Sequence, residues 1–146
     1  MELDLVPPSS FHYPIFLWQM CHDSVPFRSV LMSQNLLSSD LCSICNTKSE
    51  DMYHALFLCP QAKGVWSFCL HQSVTPPDHD NLHTWLKDFS FNLGATSSII
   101  LWKVWYSRNK FSFESIKHSI QEIGAQVFSI LHYVFKAFGS LDLIVF

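Results

Sequence analysis

The sequence predicts a mainly α-helical protein: a small helical bundle interrupted by a cysteine-rich knuckle, with little or no sheet. Apolar residues recur at helical spacing in several segments, and no segment shows a convincing alternation of polar and apolar residues. The 146 residues are 49% hydrophobic and only 14% charged. This composition excludes an intrinsically disordered chain, and it predicts one domain with a large core or with an apolar surface that meets a partner.

Three helices are predicted in the first half of the chain. The first covers residues 13–22 and starts just after Pro14, a residue that the first turn of a helix tolerates. The second carries the apolar residues of the segment 30–37, and the third begins at Pro60 and runs to residue 71. Residues 75–80, with the sequence TPPDHD, form the clearest linker.

Three more helices are predicted after this linker. Apolar residues at i, i+3, i+4 and i+7 mark the first, within residues 82–89. Residues 94–98 are expected to break the chain before a largely buried helix over 99–108. The last helix is predicted over 113–138, with Ser112 as its N-cap and Glu114 in its first turn. Its buried stripe comprises Phe113, Ile116, Ile120, Ile123, Val127, Ile130 or Leu131, Val134 and Phe138.

Charge and termini limit the class of protein. The formal net charge is −3 and the sequence pI is near 6.2, so strong non-specific phosphate binding is not expected. The first twenty residues lack the basic start of a secretory signal, and polar residues interrupt the apolar C-terminal tract. The sequence therefore predicts an intracellular protein with reduced cysteines and no membrane span.

One constellation carries chemistry. Cys42, Cys45, His54 and Cys59 follow the spacing C-x2-C-x8-H-x4-C. The close cysteine pair lets one tight turn offer two thiolates to the same ion, and a Cys3His set favours a closed, four-coordinate, structural Zn²⁺ site. Such a site has a charge of about −1, which backbone N–H groups and Lys48 are expected to offset.

Other interpretations of the cysteines and histidines remain open at this point. Cys42 and Cys45 could form a short-range disulfide, although His54 would then have no role, and a Cys-His nucleophile pair would need one exposed thiolate. Cys21 and Cys69 are expected to be small buried side chains. His22 is expected at a helix end, and the acidic and histidine cluster Asp78–Asp80 is expected to be a solvated linker.

The order of several short motifs resembles a known family. Four groups of residues are similar to the reverse transcriptase zinc-binding domain of plant non-LTR (LINE-type) retroelements. They are Phe16-Leu17-Trp18-Gln19, Val25-Pro26-Phe27-Arg28, the four cluster residues with Glu50, and Cys59-Pro60 with Trp66. The later Trp102, Trp105 and Arg108-Asn109 resemble the W-x2-W-x2-R-N stretch that follows this domain. Gln19 departs from the pattern, which has arginine there.

The resemblance implies a domain organisation and a set of ligands. The zinc-binding domain would cover residues 11–74, with the knuckle at 40–60, and a C-terminal helical extension over 80–138 would pack on it. Residues 1–10 and 139–146 would be tails. Cys42, Cys45, His54 and Cys59 match the zinc ligands of the family.

The family also implies a non-catalytic accessory role in nucleic-acid handling. The knuckle and its flanks offer Arg28, Lys48 and Lys63, which would contact phosphates, but nearby acidic residues nearly cancel their charge. We therefore expect at most weak binding of single-stranded RNA or DNA, aided by Tyr53 or Phe57 if these rings are exposed. The basic and aromatic segment 102–111 could also bind nucleic acid, although a buried helix with a solvated basic end is favoured.

Two other classes of function remain. A protein-interaction or structural remnant would use apolar surface for self-association or for capture of a partner. A thiol enzyme is the less favoured class, because four converging ligands leave no single exposed thiolate.

Overall fold

The fold is described from a computed structural model, which covers residues 16, 19–20, 22, 24–76, 84–85, 88 and 95–138. In chain order the elements are α1 (Arg28–Ser33), a π-helical turn (His54–Leu58), α2 (Pro60–Leu70), α3 (Ala95–Glu114) and α4 (Ile120–Phe138). Among these residues the extended pairing is limited to one antiparallel bridge between Leu41 and Ser49. The prediction of a mainly helical protein with a knuckle and no sheet is confirmed.

The core forms where α4 packs against both α2 and α3. The side chains of Ile123, Val127, Ile130 and Val134 are buried on one face of α4, at the spacing of helical turns. Ile99, Ile100, Leu101 and Val104 fill the opposing side from α3, and Val65 and Trp66 contribute from α2. The last helix thus packs on the helix that contains residues 99–108, and α2 is a further partner.

Two glycines allow α2 and α4 to approach closely. A Cβ atom at Gly64 of α2 would collide with the side chain of Ile120, and one at Gly124 of α4 would collide with the ring of Phe68. Each helix therefore offers a gap that accepts a side chain of the other helix.

The predicted last helix, residues 113–138, is in fact interrupted. Ser115 takes a left-handed conformation (φ 56°) and ends α3, where the N–H of Ile116 donates to the carbonyl of Lys110. Phe113 is 71% exposed, so its place in the buried stripe was predicted wrongly, as was the cap at Ser112. The chain enters α4 at Ser119 instead.

Two further boundaries can be compared with the prediction. The expected break over 94–98 is wrong for residues 95–98, because α3 already begins at Ala95 and buries Ser97 and Ser98. Phe16, Gln19 and Met20 are helical, as are Thr84, Trp85 and Asp88, in agreement with the helices predicted there. The predicted tails 1–10 and 139–146 lie outside the described residues.

None of the helices in the described ranges has the length and apolar content of a membrane span.

Candidate metal centre

The four residues with metal-ligand spacing converge. One ligand atom from each of Cys42, Cys45, His54 and Cys59 lies within 4.8 Å of the other three. The Cys42 and Cys59 sulfurs are 4.0 Å apart, and the Cys45 sulfur is 3.3 Å from His54 Nε2. Tetrahedral zinc, with bonds of about 2.0–2.3 Å, holds neighbouring ligand atoms roughly 3.5–3.8 Å apart. The Cys3His cluster therefore fits a structural zinc site.

A tight turn presents the first two cysteines. The N–H of Asn46 donates to the carbonyl of Cys42 at 2.9 Å, and Asn46 itself is left-handed with φ 57°. Asparagine is one of the few residues that adopts this conformation readily. The hydroxyl of Thr47 donates to the sulfur of Cys45 at 3.2 Å, which orients the half-buried ligand.

The π-helical turn brings the other two ligands together. In an ordinary α-helix, residues five positions apart point about 140° away from each other. Here the N–H of Cys59 donates to the carbonyl of His54 at 2.8 Å, so the wider turn returns the chain over its starting residue. The H-x4-C spacing thus places both ligands on one side.

Two side chains form hydrogen bonds with the backbone of this turn. The indole N–H of Trp66 in α2 donates to the carbonyl of Leu56 at 2.8 Å. At the start of the turn, the Asp51 carboxylate accepts the backbone N–H of His54 at 2.8 Å. The sequence analysis did not assign Asp51 this role.

Arg108 of α3 reaches the cluster from the far half of the chain. Its guanidinium, 1% exposed as a residue, donates to the sulfur of Cys42 at 2.9 Å, to the Glu50 carboxylate at 3.4 Å and to the carbonyl of Ala55 at 3.3 Å. The sequence analysis expected Lys48 to offset the charge of the thiolates. The side chain of Lys48 is exposed instead, and its backbone carbonyl accepts the N–H of Cys42.

The thiols of Cys42 and Cys59 share a hydrogen bond that shifts their pKa values in opposite directions. A hydrogen bond with Cys59 lowers the pKa of Cys42 to about 3, and Arg108 acts in the same direction while burial opposes it. The same hydrogen bond, together with burial, raises the pKa of Cys59. Burial also raises the pKa of Glu50 against the opposing charge of Arg108. Because zinc binds cysteine as the thiolate, metal binding would release any proton that these thiols hold.

Among the described residues, neither Cys69 nor His22 belongs to the cluster. Cys42, Cys45, Cys59 and Cys69 are free thiols, which argues against the Cys42–Cys45 disulfide. Cys69 is buried, as predicted, and burial raises its pKa to about 11. His22 is exposed. Cys21 and the Asp78–Asp80 segment lie outside the described residues.

The three basic residues assigned to nucleic acid occupy different elements. Lys48 is exposed on the knuckle and Lys63 is exposed in the first turns of α2. Arg28 begins α1 and donates to the carbonyl of Ser39 at 3.4 Å. Phe57 is fully buried and stacks on Trp66, so it cannot stack on a base.

The residues of the 102–111 segment are buried or half-buried, but the basic residues are not all solvated as expected. Lys103 is buried, with its ammonium 4.5 Å from the ring centre of Tyr106. Arg108 is buried in the metal centre, while Lys110 pairs with Glu114 at 3.1 Å. The cations of this helix thus serve internal contacts.

Comparison with known proteins gives one family. Residues 7–66 match the family model described as zinc-binding in reverse transcriptase. The matched segment includes all four residues of the Cys3His cluster. The chain has no match among curated proteins or solved structures.

Proposed function

We propose that residues 7–66, which match the family model described as zinc-binding in reverse transcriptase, form a non-catalytic accessory module for nucleic-acid handling. The observation that carries the proposal is the Cys3His cluster within the matched segment. In this proposal Cys42, Cys45, His54 and Cys59 hold one Zn²⁺ ion. The ion, when bound, cross-links the knuckle and supplies folding free energy.

The donor set supports a structural role for the metal. Four protein ligands complete a tetrahedron and leave no coordination position for water or substrate. Cys42, His54 and Cys59 are buried, which keeps solvent away from most of the site. The division into a domain over 11–74 and an extension over 80–138 remains part of the proposal.

The charge of the knuckle surface supports weak phosphate binding. Glu50 is 2% exposed and pairs with Arg108, so its charge is withdrawn from the surface. Of the three acidic residues close to Arg28, Lys48 and Lys63 in the sequence, only Asp40 and Asp51 then remain to oppose their charge. Because Phe57 is buried, phosphate contacts would contribute more than base stacking.

Metal content is the first test. Protein purified under reducing conditions should contain one zinc ion per chain by elemental analysis, and Cys45→Ser should lose most of it. Cys69→Ser is the matched control, because Cys69 is a buried thiol outside the cluster. Wild-type protein without metal would contradict the proposal.

Salt-dependent binding tests the nucleic-acid role. Labelled single-stranded RNA and DNA should bind weakly at low salt, and about three phosphate contacts give a log–log slope of roughly −2 against salt concentration. The double variant Lys48→Glu, Lys63→Glu should abolish binding, while Lys117→Glu, an exposed lysine next to α4, should not. Absence of binding at low salt would reject this role.

Exposed aromatic rings favour a second candidate function, a protein-interaction surface. Phe113, Phe128, Tyr133 and Phe135 are each at least 45% exposed. Exposed rings of this kind predict self-association or partner binding that does not weaken with salt. A salt-independent oligomer in a sizing experiment, together with no nucleic-acid binding, would support it.

A further inference from the structure

A helix outside the family match completes the metal centre. The match ends at residue 66, whereas α3 begins at Ala95. Arg108 of this helix touches both halves of the cluster, since it donates to the sulfur of Cys42 and to the carbonyl of Ala55, the neighbour of His54. One guanidinium therefore joins the cysteine turn to the π-helical turn.

The buried charges of the site require a cation. Three thiolates, a neutral imidazole and Zn²⁺ sum to −1, and the buried carboxylate of Glu50 adds a second negative charge. The Arg108 guanidinium lies between them, 2.9 Å from the Cys42 sulfur and 3.4 Å from Glu50. An uncompensated buried charge is expensive, and a planar guanidinium can donate to several acceptors at once.

A second contact fixes α3 on the same turn. The hydroxyl of Ser112 is 2.6 Å from that of Ser43, which lies between Cys42 and Ile44 in the C-x2-C turn. Ser112 is one helical turn after Arg108, so both side chains lie on the same face of α3. The helix is thus positioned on the cysteine turn at two points.

We propose that Arg108 is a positioning residue of the zinc centre, which balances the thiolate charge and holds the two ligand-bearing turns together. The metal-binding unit then extends through α3, well beyond residues 7–66. This role rests on the proposed zinc site and adds a residue to it that ligand spacing does not reveal.

Zinc affinity of the full chain tests this role. Competition with a chromophoric chelator should show that Arg108→Gln weakens zinc binding about 10- to 100-fold, the usual range for loss of a contact to a metal ligand. The zinc affinity of Arg108→Lys should lie between those of Arg108→Gln and the wild type, because lysine keeps the charge but lacks the planar set of guanidinium donors. Lys110→Gln, on the same helix but paired with Glu114, should bind zinc like the wild type.

Two readouts separate positioning from a general structural role. The melting temperature of Arg108→Gln should fall more in zinc-loaded protein than in chelator-treated protein, whereas a purely structural role would lower both equally. In cobalt-substituted protein, the thiolate-to-metal charge-transfer band should move to longer wavelength, because Cys42 loses a donor that stabilises its electrons.

The outcomes distinguish this role from the proposed function. A wild type that binds no zinc rejects both. If the wild type binds zinc and Arg108→Gln binds it with the same affinity, only the role of Arg108 is overturned. If Arg108→Gln does not fold even with zinc, the Arg108→Lys variant decides, and an affinity equal to that of the wild type overturns the role.

Discussion

Asp51 shows how one side chain can prepare a ligand for its metal. Its carboxylate accepts the N–H of His54 and so begins the π-helical turn with that histidine as its first residue. This hydrogen bond fixes the backbone that carries the imidazole. Glu50, one residue earlier, pairs with Arg108, so adjacent carboxylates organise opposite sides of the cluster.

Replacing Asp51 by alanine should therefore affect both stability and metal affinity. We expect Asp51→Ala to lower the free energy of unfolding by about 1 kcal/mol, the usual effect of losing a helix N-cap, and to weaken zinc binding. Chemical denaturation with and without zinc measures both effects. Asp51→Asn keeps a capping oxygen and should be nearly neutral; an equal loss in both variants would mean that the cap is unimportant.

At the scale of residues, the sequence indicates the four metal ligands but not the side chains that form hydrogen bonds with them. The spacing of Cys42, Cys45, His54 and Cys59 is local, so a tight turn and a short helical segment are enough to indicate a cluster. Arg108 is distant in sequence and lies at the basic end of a helix, an end that was expected to be solvated. Only the packing of α3 on the knuckle brings it to Cys42.

Among the elements, α4 begins with a reciprocal cap. The N–H of Glu122 donates to the Ser119 hydroxyl, and the Ser119 N–H donates to the Glu122 carboxylate, both at 3.1 Å. The sequence contains this S-x-x-E signature, but the apolar period continues through Ile116 and masks the break before it. The left-handed residue that ends α3 is Ser115, and not the glycine or proline that would have marked a helix end in the sequence.

The cap predicts a pH dependence. Hydrogen bonds from the backbone and hydroxyl of Ser119 hold the pKa of Glu122 below its ordinary value. Because the folded-state pKa is depressed, the stabilisation is complete above the unfolded value and is lost as pH falls through the folded one. The melting temperature of Glu122→Gln should lie below that of the wild type at pH 7, and the two should converge in acid. A difference that persists at low pH would contradict this.

The contact between α2 and α4 predicts an unusual response to alanine. Gly124→Ala should raise helix propensity, yet we expect it to lower the free energy of unfolding by about 1–3 kcal/mol, because the new methyl group meets the ring of Phe68. Denaturant unfolding measures the change. In a Phe68→Ala background the same substitution should be neutral or stabilising, and an equal loss in both backgrounds would rule out the clash.

Across the whole molecule, metal-dependent and metal-independent parts adjoin along α3. Its C-terminal half carries Arg108 and Ser112 to the knuckle, while Ile99 to Val104 belong to the apolar core with α4. The stripe of α4 contains no member of the cluster. Loss of zinc should therefore destabilise the knuckle and the end of α3 more than α4.

Hydrogen exchange can map this difference. Chelation should speed amide exchange at Cys42, Asn46 and Cys59 and at the end of α3, while the middle of α4, residues 123–134, stays protected by its apolar contacts. Cys45→Ser should reproduce the pattern without chelator. Equal loss of protection in α4 and in the knuckle would show that the molecule unfolds as one unit.

The wide turn at His54–Leu58 has a consequence for changes in chain length. Leu58 is 41% exposed, so its identity matters little to the core, but its presence keeps five steps between His54 and Cys59. One residue fewer would give the i, i+4 spacing of an ordinary helix, which still presents two ligands on one face, but it would shift the Leu56 carbonyl away from Trp66. One residue more would turn the thiol to the opposite side. Insertions and deletions at this point are therefore unequal, and only shortening leaves a metal-binding face.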